Sequence, residues 1–316
     1  MIDATRIEAI FERFTTGYHF YLEDLRSGES VELGERGAWP IGSCFKLAVL
    51  IAYFEALADG ILPSGSLDAE TVIAPERFSM GAGVLNLLDT PIRLSDRQML
   101  SLMITASDGT ATDFLIEKLG LERVQETLRR AAPDSTLTCD LGELVRRFRE
   151  VPGALDCKTR NWTSDEARTF RETTSRLGAT HAIDLARLAC AGFNLPRAAD
   201  FDETMLRDYV RIIEVPRFPL RRSETFLEPP FRHVAKTVSI GRNYFTAEGG
   251  VIVNGDQPIA NFGYCSEGWR LPAFVVETIC GLIGLEMAAA LGFPQNPNWD
   301  FTPEGAKLLL GDLWAV

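Results

Sequence analysis

The segment Phe45–Leu57 constrains this chain more than any other. It is apolar almost all the way round, with Leu47, Val49, Leu50, Ile51, Tyr53 and Phe54 on every side of the predicted helix. A helix without a polar face has to run through the middle of a protein. The rest of the chain must therefore enclose it. With 316 residues, 46% of them hydrophobic, the chain has ample material for that. One large domain or two intimately packed ones both fit.

The periodicity around this helix is asymmetric along the chain. Asp3–Arg13 has helical spacing, with Ile7, Ile10 and Phe11 on one face. Tyr18–Leu25 is rich in aromatics and reads as a strand, Arg26–Glu29 as a turn, and Ser30–Leu33 as a returning strand. Helical patterns then dominate to about Gly192, including Ser95–Thr105, Ala111–Leu119 and Ala182–Ala191. Glu70–Pro91 and Pro152–Trp162 read as irregular. Strand character returns at His233–Ile240, Gly250–Val253 and Ile259–Tyr264. The last two flank Asn254-Gly255-Asp256-Gln257, which carries a hairpin signal. An apolar helix is expected at about Leu271–Leu291. Strands at both ends and helices between them predict an antiparallel sheet completed by both termini, with a helical insert. The division expected is a discontinuous sheet domain over 1–40 and 193–316 and a helical domain over 41–192, with the site between them.

Composition excludes several classes of partner. The net charge is −12, which repels phosphate backbones and anionic lipid, so neither nucleic acid nor a membrane is expected to bind. The six cysteines contain no C-x-x-C pair and there are three histidines, so a metal site is not expected and no cofactor is implied. Cysteines set in apolar runs, such as Cys280, read as free buried thiols of a reduced compartment. The N-terminus shows no basic and apolar leader pattern, so the chain as it stands reads as cytoplasmic. With a leader removed it would read as periplasmic or secreted.

Three short motifs carry chemistry. Ser43-Cys44-Phe45-Lys46 opens the buried helix, after Trp39-Pro40-Ile41-Gly42. Residues three apart share a helix face, so the Ser43 hydroxyl and the Lys46 amine can meet in one cleft. Ser43 at a helix start also has backbone N–H groups for a developing oxyanion. Taken alone, Ser43 is equally an N-cap and Lys46 a solvated side chain, but the rest of the helix is too apolar for the second. Ser107-Asp108-Gly109 supplies another hydroxyl, able to pass a proton to a leaving group, or simply a helix break. Lys236-Thr237-Val238-Ser239 puts a cation and a hydroxyl on a strand, suited to a carboxylate or carbonyl, or to a solvated edge.

The order of these motifs resembles that of the class A β-lactamases and penicillin-binding proteins. The flanks resemble that family too: Leu22–Glu29 its first hairpin, Ile104–Leu115 its S-D-N helix, and Gly178–Leu188 the helix after its Ω loop. The likeness runs from about Tyr18 to Gly292 and is poorest over Phe193–Phe231. It implies an α/β (α+β) fold, a five-stranded antiparallel sheet flanked by helices plus an all-helical domain. It implies a serine hydrolase in which Ser43 is acylated, Lys46 is base or proton relay, and Ser107 protonates the leaving group. Lys236 and Thr237 would hold a substrate carboxylate, and the N–H groups of Ser43 and Ser239 would form the oxyanion hole.

Three departures bear on substrate and turnover. S-D-N is S-D-G, so no side chain at Gly109 reads an acylamino group. K-T-G is K-T-V, and Val238 crowds or reshapes the cleft. The Ω-loop E-x-x-L-N is missing; Glu166 and Asp165 are the nearest candidates for a deacylation base, with Asn161 assisting, and both acids also read as solvated residues at a helix start. The gap to Lys236 is longer than in the family and implies an insertion. The function expected is acyl-enzyme hydrolysis of a small-molecule β-lactam or related amide or ester. Alternatives are an esterase or D,D-peptidase-like enzyme, a sensor or biosynthetic accessory that is acylated without turnover, and a scaffold without chemistry.

Overall fold

Strands from the two ends of the chain meet in one sheet. The computed structural model describes residues 2–79, 81–154, 162–214, 231–241, 244–271 and 273–293. In chain order the elements are α1 (Thr5–Phe14), β1 (Gly17–Asp24), β2 (Glu29–Gly34), β3 (Trp39–Pro40), a 3-10 turn (Gly42–Phe45) and α2 (Lys46–Ala58). Then come β4 (Glu70–Ile73), β5 (Ile92–Ser95), α3 (Asp96–Thr105), α4 (Gly109–Leu119), α5 (Leu121–Ala131), α6 (Leu141–Glu150) and α7 (Ser164–Ser175). The chain continues through β6 (Ala179–Thr180), α8 (Ala182–Ala198), α9 (Glu203–Ile213), β7 (Phe231–Ile240), β8 (Phe245–Asn254), β9 (Gln257–Glu267) and α10 (Ala273–Ala290). The main sheet has the order β2-β1-β9-β8-β7 and is antiparallel at every pairing. Two short pairs, β3–β6 and β4–β5, stand apart from it. Among the described residues no helix is long and apolar enough to cross a membrane.

Strand alternation sorts the side chains onto two cores. Phe20, Leu22, Ile252, Phe262 and Tyr264 point to one face, where they pack with Ile7, Phe11 and Phe14 of α1 and with Ile279 and Ile283 of α10. Ala247, Val251, Val253 and Cys265 point to the other, where they join α2, α3, α4, α5 and α8. The all-round apolar helix is α2, and every residue from Lys46 to Leu57 except Glu55 is buried. The cysteines with described surroundings are free thiols; Cys44, Cys139, Cys265 and Cys280 are buried and Cys190 is half-buried. Cys157 lies outside the described residues.

The expected elements appear with shifted ends. The β8–β9 hairpin pairs Asn254 with Gln257, so Gly255 and Asp256 are its two central residues. Gly255 has φ +58°, the conformation a tight hairpin wants first. The segment expected to be irregular from Glu70 to Pro91 contains β4, too short for alternation to reveal. Helix α8 continues past Ala191 to Ala198 and tolerates Pro196 in its last turn.

Helix α8 lies hard against the sheet because two glycines face it. Gly249 and Gly263 are register partners on β8 and β9. A Cβ at Gly263 would stand 1.9 Å from the Ala182 carbonyl oxygen, and one at Gly249 2.4 Å from that of Leu185. The N-terminus of α8 is capped twice by histidine: His181 Nδ1 accepts from Asp184 N–H (3.2 Å) and His19 Nδ1, from β1, accepts from Ala182 N–H (3.1 Å). Gly263→Ala should therefore destabilise the fold by about 1–3 kcal/mol or more through overpacking. Urea denaturation measures it; an unchanged midpoint would show that α8 does not need that close approach.

Candidate active site

The Ser43–Lys46 motif sits where the 3-10 turn Gly42–Phe45 runs into α2. Lys46 opens α2 and is fully buried, as is Lys236 on β7. Both amines converge on one hydroxyl. Lys46 Nζ lies 3.1 Å and Lys236 Nζ 3.2 Å from Ser107 Oγ. Lys46 Nζ also donates to the Ser107 carbonyl at 2.5 Å. Ser107 reaches this position between α3 and α4 with φ +56°, a left-handed conformation that costs a non-glycine residue about 1–2 kcal/mol. Its backbone turn aims both oxygens of the residue at Lys46. The Ser43 hydroxyl is half-buried and makes no hydrogen bond among the described residues. The resting partner of Lys46 is thus Ser107, with Ser43 three residues before it on the same run.

Burial pushes the Lys46 ammonium down to about 7, with the charges of Asp108 and Asp113 opposing the shift. A lysine in that state carries a lone pair at neutral pH and can accept a proton. Asp108 is spoken for structurally. Its Oδ1 caps α4 through Ala111 N–H (3.0 Å), and its Oδ2 accepts from Val84 N–H (2.7 Å) and Leu85 N–H (2.9 Å). Asp113 is held by Leu141 N–H at 2.8 Å and by the Ser79 hydroxyl. The sequence pattern marks Asp108 only as part of a motif and does not mark Asp113. A signal for their partners is present in Gly81-Ala82-Gly83, since paired glycines flag a close backbone approach.

That approach explains Gly109. Its N–H donates to the Ala82 carbonyl at 2.8 Å, and a Cβ there would meet Ala82 O and Leu141 at 3.5 Å and Gly81 Cα at 3.6 Å. The loop before the 3-10 turn Leu85–Leu87 therefore covers the place where a longer side chain would go. Val238 has a similar answer. Gly42 has φ +45°, and a Cβ on it would lie 2.4 Å from Val238 Cγ1. Val238 is buried against the nucleophile turn, and Cys44 Sγ donates to the Lys236 carbonyl at 3.4 Å beside it. The turn carrying Ser43 and the strand carrying Ser239 are neighbours through these contacts. Thr237 is half-buried and Ser239 exposed, on the strand face opposite Lys236 and Val238.

The two acids singled out near the Ω-loop position lie in the first turn of α7. Glu166 closes a capping box at the start of α7, accepting from Thr163 N–H (3.1 Å) and Thr163 Oγ1 (2.9 Å). Asp165 is exposed and pairs with Arg168. With Trp162 and Phe170 they line a surface cavity of about 370 Å³. Asn161 lies outside the described residues. Among the described residues the group of His and carboxylate side chains close enough to hold a metal is Asp134, His181 and Asp184. There His181 Nδ1 accepts an N–H that closes the start of α8, and Asp184 Oδ2 accepts from Asp134 N–H.

A model of the beta-lactamase enzyme family matches residues 4–188. The chain belongs to that family. No curated protein sequence matches it. The fold is shared with solved structures: a beta-lactamase from Sphaerobacter thermophilus at 20% identity has a TM-score of 0.69, and the match covers 92% of this chain and 98% of that one. A class A beta-lactamase from Bacteroides cellulosilyticus has 14% identity, TM-score 0.68 and coverage of 91% and 96%. The protein PBP-A has 16% identity, TM-score 0.66 and coverage of 91% and 95%. At such identities these likenesses speak to the fold, which is the five-stranded antiparallel sheet flanked by helices of class A beta-lactamases.

The buried lysine has a thermodynamic consequence for this family member. Its amine titrates near 7 folded and near the ordinary lysine value of 10.5 unfolded. Between those values the unfolded chain binds more protons, so this contribution to stability rises with pH; below about 7 its cost is fully present. Lys46→Met should accordingly gain most over the wild type below pH 7, by roughly 2–5 kcal/mol. The gain should shrink as pH climbs toward 10. Denaturation of both proteins across pH checks this, and a pH-independent difference would mean Lys46 is charged throughout.

Proposed function

We propose that the protein is a serine acyl hydrolase of the beta-lactamase type that forms an acyl-enzyme at Ser43 with a β-lactam or a related ester or amide. The observation that carries this reading is the desolvated Lys46 amine, hydrogen-bonded to Ser107 and one turn from Ser43. Neutral Lys46 takes the Ser43 proton as Oγ attacks the carbonyl carbon. The N–H groups of Ser43 and Ser239 face the oxyanion. Ser107 gives its proton to the leaving nitrogen or oxygen and regains one from Lys46, which leaves the lysine neutral again. Lys236 and Thr237 meet the negative end of the substrate, a role that suits the Lys236 amine beside Ser107.

A second reading concerns the fate of the acyl-enzyme. Glu166 is engaged in its capping box and Asp165 with Arg168. With these acids occupied, water activation is slow and the acyl-enzyme accumulates, as in a sensor or trap. Gly109 supplies no side chain to read an acylamino group, which favours substrates without one, including simple esters.

Intact-protein mass spectrometry after incubation with benzylpenicillin, run beside a chromogenic cephalosporin assay, tests both readings. The expected result is a penicilloyl mass on the Ser43 peptide that Ser43→Ala abolishes. Adduct decay with steady colour release supports hydrolysis; a persistent stoichiometric adduct supports the trap. An adduct on Ser107 would reassign the nucleophile, and activity that survives Ser43→Ala would refute the mechanism.

Ser107→Ala should slow acylation by about 10²–10⁴, the range for a positioned proton transfer. The acid limb of the acylation rate should have its midpoint near the Lys46 value of about 7, because protonated Lys46 cannot accept the Ser43 proton. Stopped-flow acylation across pH measures both effects.

A further inference from the structure

Behind the nucleophile turn lies a buried charge pair that the acylation chemistry does not use. Arg171 of α7 and Glu267 at the end of β9 are both buried, with Arg171 Nη1 3.5 Å from Glu267 Oε1. The guanidinium lies over the Trp39 ring, 4.1 Å from its centroid. Its Nη2 donates to both Glu35 carboxylate oxygens at 3.3 Å. The Trp39 indole N–H in turn donates to the Glu35 carbonyl at 3.2 Å, and the ring stacks on Phe245 of β8 at 6.4 Å. From Trp39 the chain runs straight through Pro40 and Ile41, whose N–H donates to the Gly178 carbonyl at 3.0 Å, into Gly42 and Ser43.

The pair is poorly made for stability. Among the described residues, Arg171 Nε and Nη1 and Glu267 Oε2 are buried without a hydrogen-bond partner. Burial also pushes the Glu267 carboxyl up to about 7 even with Arg171 beside it. A buried ion pair with unsatisfied atoms is often no better for stability than apolar residues of similar volume. What it does supply is geometry. The guanidinium stands between the Glu35 and Glu267 carboxylates and over the Trp39 indole, which holds that ring in position.

We propose that Arg171, held by Glu267 and Glu35 and stacked on Trp39, is a positioning residue that sets the nucleophile segment Trp39–Ser43 on the sheet. It touches no reacting atom. It acts through Trp39, and its effect on rate rests on acylation at Ser43, whereas its effect on the segment does not.

The double variant Arg171→Met/Glu267→Met separates position from stability. Hydrogen exchange followed by mass spectrometry reads the amides of residues 41–46, and thermal denaturation reads the whole fold. The expected result is exchange over 41–46 at least about tenfold faster, with other segments unchanged and the melting temperature held or raised. The benzylpenicillin acylation rate should fall about tenfold or more, with binding altered less than about twofold, since displacement near 1 Å is enough for such a loss. Unchanged exchange over 41–46 would overturn the proposal. So would exchange that rises throughout the chain in step with a lower melting temperature. If the double variant does not fold, Arg171→Lys, which keeps the charge and loses the guanidinium over Trp39, carries the same two readouts. If the wild type is not acylated at all while exchange responds locally, the Ser43 reading fails and the positioning role stands.

Discussion

A cation without water is the constraint around which this molecule is arranged. Lys46 opens the most apolar helix of the chain and is fully buried, so its ammonium has lost its hydration. What replaces that hydration is sparse: the carbonyl and hydroxyl of Ser107, and the more distant charges of Asp108 and Asp113. The loss of water has two consequences. The amine is easily deprotonated, so it can give up its proton near neutral pH. And the loop before α4 has to hold Ser107 in a left-handed conformation so that both its oxygens face the amine.

The surrounding elements serve this arrangement by close backbone approach. Asp108 ties the Val84–Leu85 backbone to the start of α4, and Gly83 lets the two segments come together. Gly42 admits Val238, which sets β7 beside the nucleophile turn and carries Lys236 to Ser107. Gly249 and Gly263 admit α8, which joins the sheet to the apolar helices. Each contact brings together segments far apart in sequence, and each uses a position where a side chain on one partner has been given up.

The sequence makes some of this legible and hides the rest for a physical reason. Periodicity within one element is local, so the buried α2, the strands at both ends and the Ser43–Lys46 spacing can be read directly. The order of the three motifs also points to the family. Contacts between distant segments leave no period. Val238 looks like a loss from a motif; it packs instead against Gly42, where no side chain would fit. Acids at a helix start and acids beside a water look alike in sequence; the Glu166 carboxylate closes the cap on Thr163. The Arg171–Trp39–Glu267 contact unites three elements and carries no signal at all.

The charge of Lys46 tests the proposed mechanism. Protein labelled with ¹³C at lysine Cε allows each amine to be titrated by NMR, and the Lys46 signal can be assigned by its loss in Lys46→Met. A desolvated Lys46 predicts a midpoint near 7 for that signal. A Lys46 midpoint near the ordinary 10.5 would contradict it, because an ammonium that keeps its proton at neutral pH cannot activate Ser43.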